Sequence, residues 1–227
     1  MNDRSMTDLI LIRHGETSWN ADKRLQGHLD IALNDVGVMQ ADLLAAAFLS
    51  DPPDIVISSD LQRACATARP LAQVAGVELI IDTTLRERCF GAFEGLRHNE
   101  IERHFPAAFV AWQTREPGAR FPAGVHHSTM HIAETLHEFS QRAITSVLGH
   151  VQRHRGKKIA IVTHGGVLDC LYRYCTNMPL QHKRNFSIAN ASVNRFIWQP
   201  DAKIQLSLVQ WGDVAHLPAR TLDEIAQ

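Results

Sequence analysis

The sequence predicts an α/β layer fold with a mainly parallel sheet. Three observations carry that reading. Short apolar runs alternate along the chain with stretches of helical periodicity, in βαβα order. The apolar runs at Leu9–Ile12, Asp54–Ser59 and Lys158–Thr163 read as strands buried within a sheet. Each ends in a polar cluster: Arg13-His14-Gly15, Ser58-Ser59 and Thr163-His164-Gly165. Ligands of open α/β sheets bind off the carboxyl ends of the strands, so parallel neighbours would bring both histidines to one edge.

The elements follow in order. Leu9–Ile12 is the first strand. Asn34 caps a helix expected to reach about Ser50, with Val36, Met39, Leu43 and Ala47 at helical spacing and Leu44 and Phe48 widening the face. Pro52 and Pro53 end it, and Asp54–Ser59 is the second strand. A helix from Leu61 to about Ala75 is closed by Gly76, and Glu78–Asp82 is a third short strand. Gln113–His127 is rich in Gly, Pro and His and lacks periodicity, as functional lids do. The longest helical pattern is expected from about Thr129 to Arg155, with Ile132, Leu136, Phe139, Ala143, Val147 and Val151 as its stripe and Gly156 at its end. Lys158–Thr163 is a strand, followed by a helix to about Cys175. Ser192–Trp198 and Ile204–Val209 are expected to pair as a hairpin around Gln199–Lys203. No repeat or linker divides the chain, so one domain over 1–227 is expected.

Composition narrows the function. Of 227 residues, 45% are apolar and 21% charged, which excludes wholesale disorder. A net charge of −1 excludes a general nucleic-acid or membrane-surface binder but not a local basic pocket. The longest apolar run, Leu43–Leu49, is far short of the ~20 residues of a membrane span. The opening MNDRSMTD does not read as a signal peptide, and no two of the four cysteines form a Cys-x-x-Cys; reduced thiols in a cytoplasmic protein are expected. The 13 histidines are an excess that suggests metal ligation, proton transfer or phosphoryl chemistry.

Leu11-Ile-Arg-His-Gly-Glu-Thr17, with Asn20, resembles the active-site signature of the histidine phosphatase superfamily, the phosphoglycerate mutase-like family. Ser58-Ser-Asp-Leu-Gln-Arg-Ala64 with Thr67, then Leu85-Arg-Glu87 with Gly91 and Glu94-Gly95, then Val162-Thr-His-Gly165 resemble its second, third and fourth motifs in order. The resemblance spans residues 9–210. It implies a three-layer α/β/α fold with a mainly parallel, mixed sheet, and a lid or cap inserted at 96–130.

A phosphomonoester is a dianion, and its pocket needs fixed positive charge and many donors. Arg13 and Arg63 offer planar forks for phosphate oxygens, Arg63 from the first turn of a helix. The resemblance makes His14 the nucleophile, His164 a second donor to the equatorial oxygens, and Glu87 the general acid, its pKa raised by a closed apolar site. Read alone, His164 is as well a core histidine and Glu87 a partner of Arg86 or Arg88. Glu16, Asp60 and Glu94 are further acid candidates. Asn20, Gln26, Gly27 and Gly165 are assigned to phosphate binding.

Eleven histidines remain. His127/His131 and His150/His154 are i,i+4 pairs that could hold a metal on a helix, with His126 nearby. The pattern lacks an HExxH carboxylate, and no metal is expected. His98, His126 and His127 fall in the lid.

The resemblance leaves two reactions open. A phosphatase passes the phosphoryl group to water; a cofactor-dependent phosphoglycerate mutase returns it to substrate and needs 2,3-bisphosphoglycerate. Where the glycolytic mutases carry a tyrosine, a lysine and an arginine pair, this chain has Phe90, His98 and Gln113-Thr114, with Arg97 and Arg115 as the nearest substitutes. The family's usual Gly-Glu-Ser before the long helix is replaced by Ala123-Gly-Val-His-His-Ser128, which bears on substrate in either subgroup and does not separate the two. The expectation is therefore a phosphomonoesterase with no required cofactor, acting on a small phosphorylated metabolite as a monomer or homodimer. The mutase is the alternative. A non-catalytic phospho-ligand module is disfavoured because both histidines and both arginines are present.

Overall fold

The structure, a computed structural model, describes residues 6–202 and 205–218. The elements run β1 (Thr7–Arg13), α1 (Ser18–Ala21), α2 (Asp35–Ala47), β2 (Ile55–Ser58), α3 (Gln62–Ala75), β3 (Leu79–Ile81), α4 (His98–His104), α5 (Pro106–Gln113), β4 (Gly124–His126), β5 (Thr129–His131), α6 (Leu136–Arg153), β6 (Lys158–Thr163), α7 (Gly165–Thr176), β7 (Val193–Trp198) and β8 (Leu206–Asp213).

Six strands form one sheet in the order β3-β2-β6-β1-β7-β8. β3, β2, β6 and β1 are parallel, and β7 and β8 are added antiparallel. The expected late hairpin is therefore present, with its second strand beginning at Leu206; Lys203 and Ile204 lie outside the described residues. Alternation along the central strands sorts the core into two layers. Leu9, Leu11, Ile159 and Ile161 pack with α6 and α7, while Ile10, Ile12, Ala160 and Val162 pack with α2 and α3. Both faces are covered, which is why these strands read as continuous apolar runs.

Three expectations need correction. The long helix begins at Leu136, capped by Thr135, and not at Thr129. Thr135 accepts the Glu138 N–H while Glu138 accepts the Thr135 N–H, a capping box that starts the helix there. Residues 129–131 instead pair with 124–126 as a hairpin. Ile132 is exposed; the rest of the expected stripe is buried. On α2 the buried face is Gly37, Gln40, Ala41, Leu44 and Ala45, while Val36 and Met39 face solvent. The reason is a close backbone approach: a Cβ on Gly37 would lie 2.1 Å from the Glu16 carbonyl oxygen, so the helix turns its small residue inward. Finally, the 96–130 segment contains two helices, α4 and α5, that periodicity did not announce. They carry a core of their own, with Phe93, Ile101, Phe121 and Ala133 buried and Trp112 packed against them. Among the described residues no helix is long and apolar enough to cross a membrane, and all four cysteines are free thiols.

Candidate active site

β1 and β6 run in register, Arg13 beside Thr163, so the residues after them emerge side by side. The His14 and His164 rings lie 5.2 Å apart between centroids, tilted by 59°. His14 Nδ1 sits 2.7 Å from the Gly15 carbonyl oxygen. A carbonyl only accepts, so Nδ1 carries the proton and the Nε2 lone pair is left for attack. Burial, reinforced by Arg63 and then Arg13, holds the His14 imidazole well below its usual pKa and keeps it neutral.

His164 is fully buried as the N-cap of α7 and is depressed in the same way, by burial and then by Arg63. Its Nε2 lies 2.9 Å from Ser59 Oγ, which accepts the Leu61 N–H and so has its hydrogen to give. With Ser59 as the donor the ring proton sits on Nδ1, a buried atom with no protein partner. His164 is fully buried beside His14 and, unlike His14, is not among the residues that line the cavity.

Both arginines are nearly fully buried, which is tolerable only with partners for the forks. Arg13 Nη1 donates to the Ile188 carbonyl at 2.6 Å. Arg63 donates to the Leu29 and Gly27 carbonyls, both at 2.8 Å. Burial pulls Arg63 down to about 10, so it stays charged at neutral pH. Thr67 accepts the Gly15 N–H and donates to the Arg63 carbonyl, tying the turn after His14 to α3.

The assigned binding residues fall around the same cavity, which has a volume of about 360 Å³. Arg13, His14, Asn20, Gln26, Gly27, Arg63 and Glu87 all line it. Asn20 Oδ1 accepts from Thr17, which leaves its amide hydrogens for a ligand. Gly27 has φ +53°, and a Cβ there would strike the Glu94 carboxylate at 2.1 Å. Gly165 departs from expectation: it is buried in the first turn of α7, and the cavity is lined by Gly166. A Cβ on Gly166 would lie 2.1 Å from Glu87 Oε1. Glu87 accepts the Gly166 N–H at 2.9 Å and the Arg88 N–H at 2.7 Å, which fixes its carboxyl on the cavity wall.

The other acid candidates are engaged elsewhere. Asp60 is paired with Arg86, whose hydrogen bonds hold it below the usual carboxylate range. Glu16 accepts from Asn34. Glu94 is fully buried as a clamp, accepting the His28 and Phe90 N–H groups on Oε1 and meeting His131 on Oε2.

Sequence reasoning missed several cavity residues. Asn190 donates to the His14 carbonyl at 3.0 Å. Arg88 lies against the stacked Phe90 and Phe121 rings, with its guanidinium carbon 5.3 and 4.7 Å from their centroids. Arg88 Nε donates to Glu134, and its buried Nη2 has no protein partner. Lys183 and Arg184 add charge at the wall. Arg115 lines the cavity too, paired with Asp169, whereas Arg97 turns away to Asp22. Of the lid histidines only His98 reaches the cavity, stacked on Trp112 at 4.7 Å. His127 sits in the β4–β5 turn at φ +46°, and His131 is on a strand, so no helical metal pair exists there. His150 is bonded to Asp82.

The family model described as histidine phosphatase superfamily (branch 1) matches residues 9–213. Phosphoglycerate mutase-like protein 4 of Arabidopsis thaliana is 36% identical over 95% of this chain and 89% of its own. A metal-independent phosphoserine phosphatase of the same plant is 32% identical over 95% of this chain and 85% of its own. Among solved structures, the phosphoserine phosphatase of Entamoeba histolytica in complex with 3-phosphoglyceric acid superimposes with a TM-score of 0.78 at 26% identity, covering 93% of this chain and all of that one. The family-model match, residues 9–213, runs from within β1 to the end of β8 and takes in both histidine-bearing strand ends. The chain belongs to the histidine phosphatase superfamily.

Proposed function

We propose that this protein is a metal-independent phosphomonoesterase that works through a phosphohistidine at His14. The observation that carries this is a neutral, buried imidazole whose Nδ1 proton is committed to a backbone carbonyl, facing a cavity flanked by two buried arginines. In the first step Nε2 attacks phosphorus and the P–O bond to the leaving group breaks. Glu87, protonated, gives its proton to the departing oxygen. Arg13, Arg63 and His164 Nδ1–H hold the charge spread over the phosphoryl oxygens. In the second step water attacks phosphorus, its proton passes to Glu87, the N–P bond breaks, and phosphate leaves with His14 restored. Each step uses only groups of this chain.

The substrate is a small phosphomonoester with a second anionic group, such as a carboxylate. Support comes from the unpartnered Arg88 Nη2 and from Lys183 and Arg184 on the cavity wall. The relatives named above for phosphoserine and captured with 3-phosphoglyceric acid act on or hold ligands of that class. Mutase activity is the second reading, favoured by the relative named mutase-like. Against it stand Phe90 and His98 in the cavity, an aromatic ring and a Trp112-stacked imidazole in place of a tyrosine and a lysine. Residues 96–130 act as the lid, the protein works as a monomer or homodimer, and free thiols accord with a cytoplasmic setting.

Purified protein should release phosphate from phosphoserine or 3-phosphoglycerate. His14→Ala should abolish both release and acid-labile labelling of the enzyme. Rapid interconversion of 3- and 2-phosphoglycerate that depends on bisphosphoglycerate, without phosphate release, would establish the mutase instead.

A further inference from the structure

Cys89, Glu94 and His131 meet outside the cavity, where the β4–β5 hairpin docks on the loop that follows Glu87. One ligand atom from each lies within 4.8 Å of the other two, and among the described residues this is the one cluster of metal-ligating side chains so placed. Cys89 and Glu94 are buried and His131 is half-buried. Two backbone N–H groups on Oε1 already fix the Glu94 carboxylate and turn Oε2 toward His131 Nδ1, at 2.6 Å. The His126 ring stands 5.0 Å from that of His131, between centroids. None of the three lines the phosphate cavity.

A thiolate, an imidazole and a carboxylate suit a borderline-soft divalent ion. Tetrahedral bonds of about 2.0–2.3 Å set ligand atoms roughly 3.3–3.7 Å apart, so the widest separations close by about 1 Å while the Glu94 Oε2–His131 Nδ1 pair, now at 2.6 Å, opens by roughly 0.7 Å to admit the ion. We propose that Cys89, Glu94 and His131 form a site for a zinc-class ion, with water or His126 in the fourth position, that pins the β4–β5 hairpin to the loop bearing Glu87. Coordination replaces the Glu94–His131 hydrogen bond. The imidazole proton passes from Nδ1 to Nε2 through solvent, and the thiol proton leaves to solvent, one per ion bound. Turnover does not route through this ion, and the site is independent of whether the cavity hydrolyses or isomerises its substrate.

The test is titration of the full chain, stripped with a chelator, with Co(II). A single equivalent should produce tetrahedral visible bands and a thiolate-to-cobalt charge-transfer band in the near ultraviolet, both displaced by Zn(II). Cys89→Ala should abolish the charge-transfer band. His131→Ala should weaken binding tenfold or more, and His150→Ala should leave it unchanged. Absence of the charge-transfer band in the wild type, or its persistence in Cys89→Ala, overturns the proposal. Far-ultraviolet circular dichroism and a melting curve on the same samples report folding, and phosphate release is measured separately. If the band is present and release is absent, the ion site stands and the phosphatase reading falls.

Discussion

The proposed nucleophile has to be neutral, and the protein keeps His14 so by burying it and setting two guanidinium groups beside it. The same depression has a stability consequence. In the unfolded chain His14 and His164 gain a proton near pH 6.5; in the folded chain they resist until the pH is well below that. The unfolded state then binds more protons, so stability falls as pH drops below about 6.5, by about 1.4 kcal/mol per unit for each histidine. Urea unfolding at several pH values should show that slope, reduced in His164→Gln. Arg88 gives a second check. Arg88→Ala should raise KM for an anionic substrate such as 3-phosphoglycerate about tenfold, the loss of one charge-assisted hydrogen bond, and leave KM for a phenyl phosphate nearly unchanged. At this scale the placement of His14, Arg13 and Arg63 at the cavity was legible because each belongs to a short contiguous motif. Asn190 and Arg88 were not, since an Asn before a strand and an Arg beside a Glu carry no local signal of where the fold will point them.

The element that holds Glu87, the proposed acid, is the first turn of α7. Gly166 is placed so that its backbone N–H holds Glu87 and its missing Cβ leaves room for the carboxylate. Gly166→Ala should leave thermal stability near the wild type, because alanine favours a helix by about 1 kcal/mol over glycine while the added methyl crowds Glu87 and Phe139. The expected loss is in kcat, tenfold or more, with KM little changed; steady-state kinetics and a melting curve on one preparation separate the two effects. Periodicity found the sheet strands and α3 to within a few residues, because burial on both faces and a Gly76 cap are local signals. It misjudged α2, where a glycine-to-backbone contact outranked the apolar stripe. It also overran the start of α6, where the apolar Ile132 lies outside the helix and a capping box at Thr135 decides the boundary.

Over the whole molecule the charges nearly cancel, at −1, yet Arg13, Arg63, Arg88, Lys183 and Arg184 gather around one cavity. A dianion is therefore drawn by a local field and not by the net charge. With a Debye length of about 8 Å at 0.15 M salt, kcat/KM for a phosphomonoester should fall severalfold between 0.02 and 0.5 M salt, mostly through KM. The βαβ order of the chain was readable; the enclosure of the cavity by α4 and α5 was not, because their apolar residues pack on a small separate cluster and show no long stripe. The strand order also sets a timetable for synthesis. β1 is the first strand made, but both of its neighbours, β6 and β7, begin at residues 158 and 193. At about 5–20 residues per second the ribosome needs roughly 7–30 s to reach β6 after finishing β1. For that interval Leu9–Ile12 is an apolar strand with two open edges, a natural client for a chaperone. No nascent fragment that stops before Asn190 can hold His14 as the finished enzyme does.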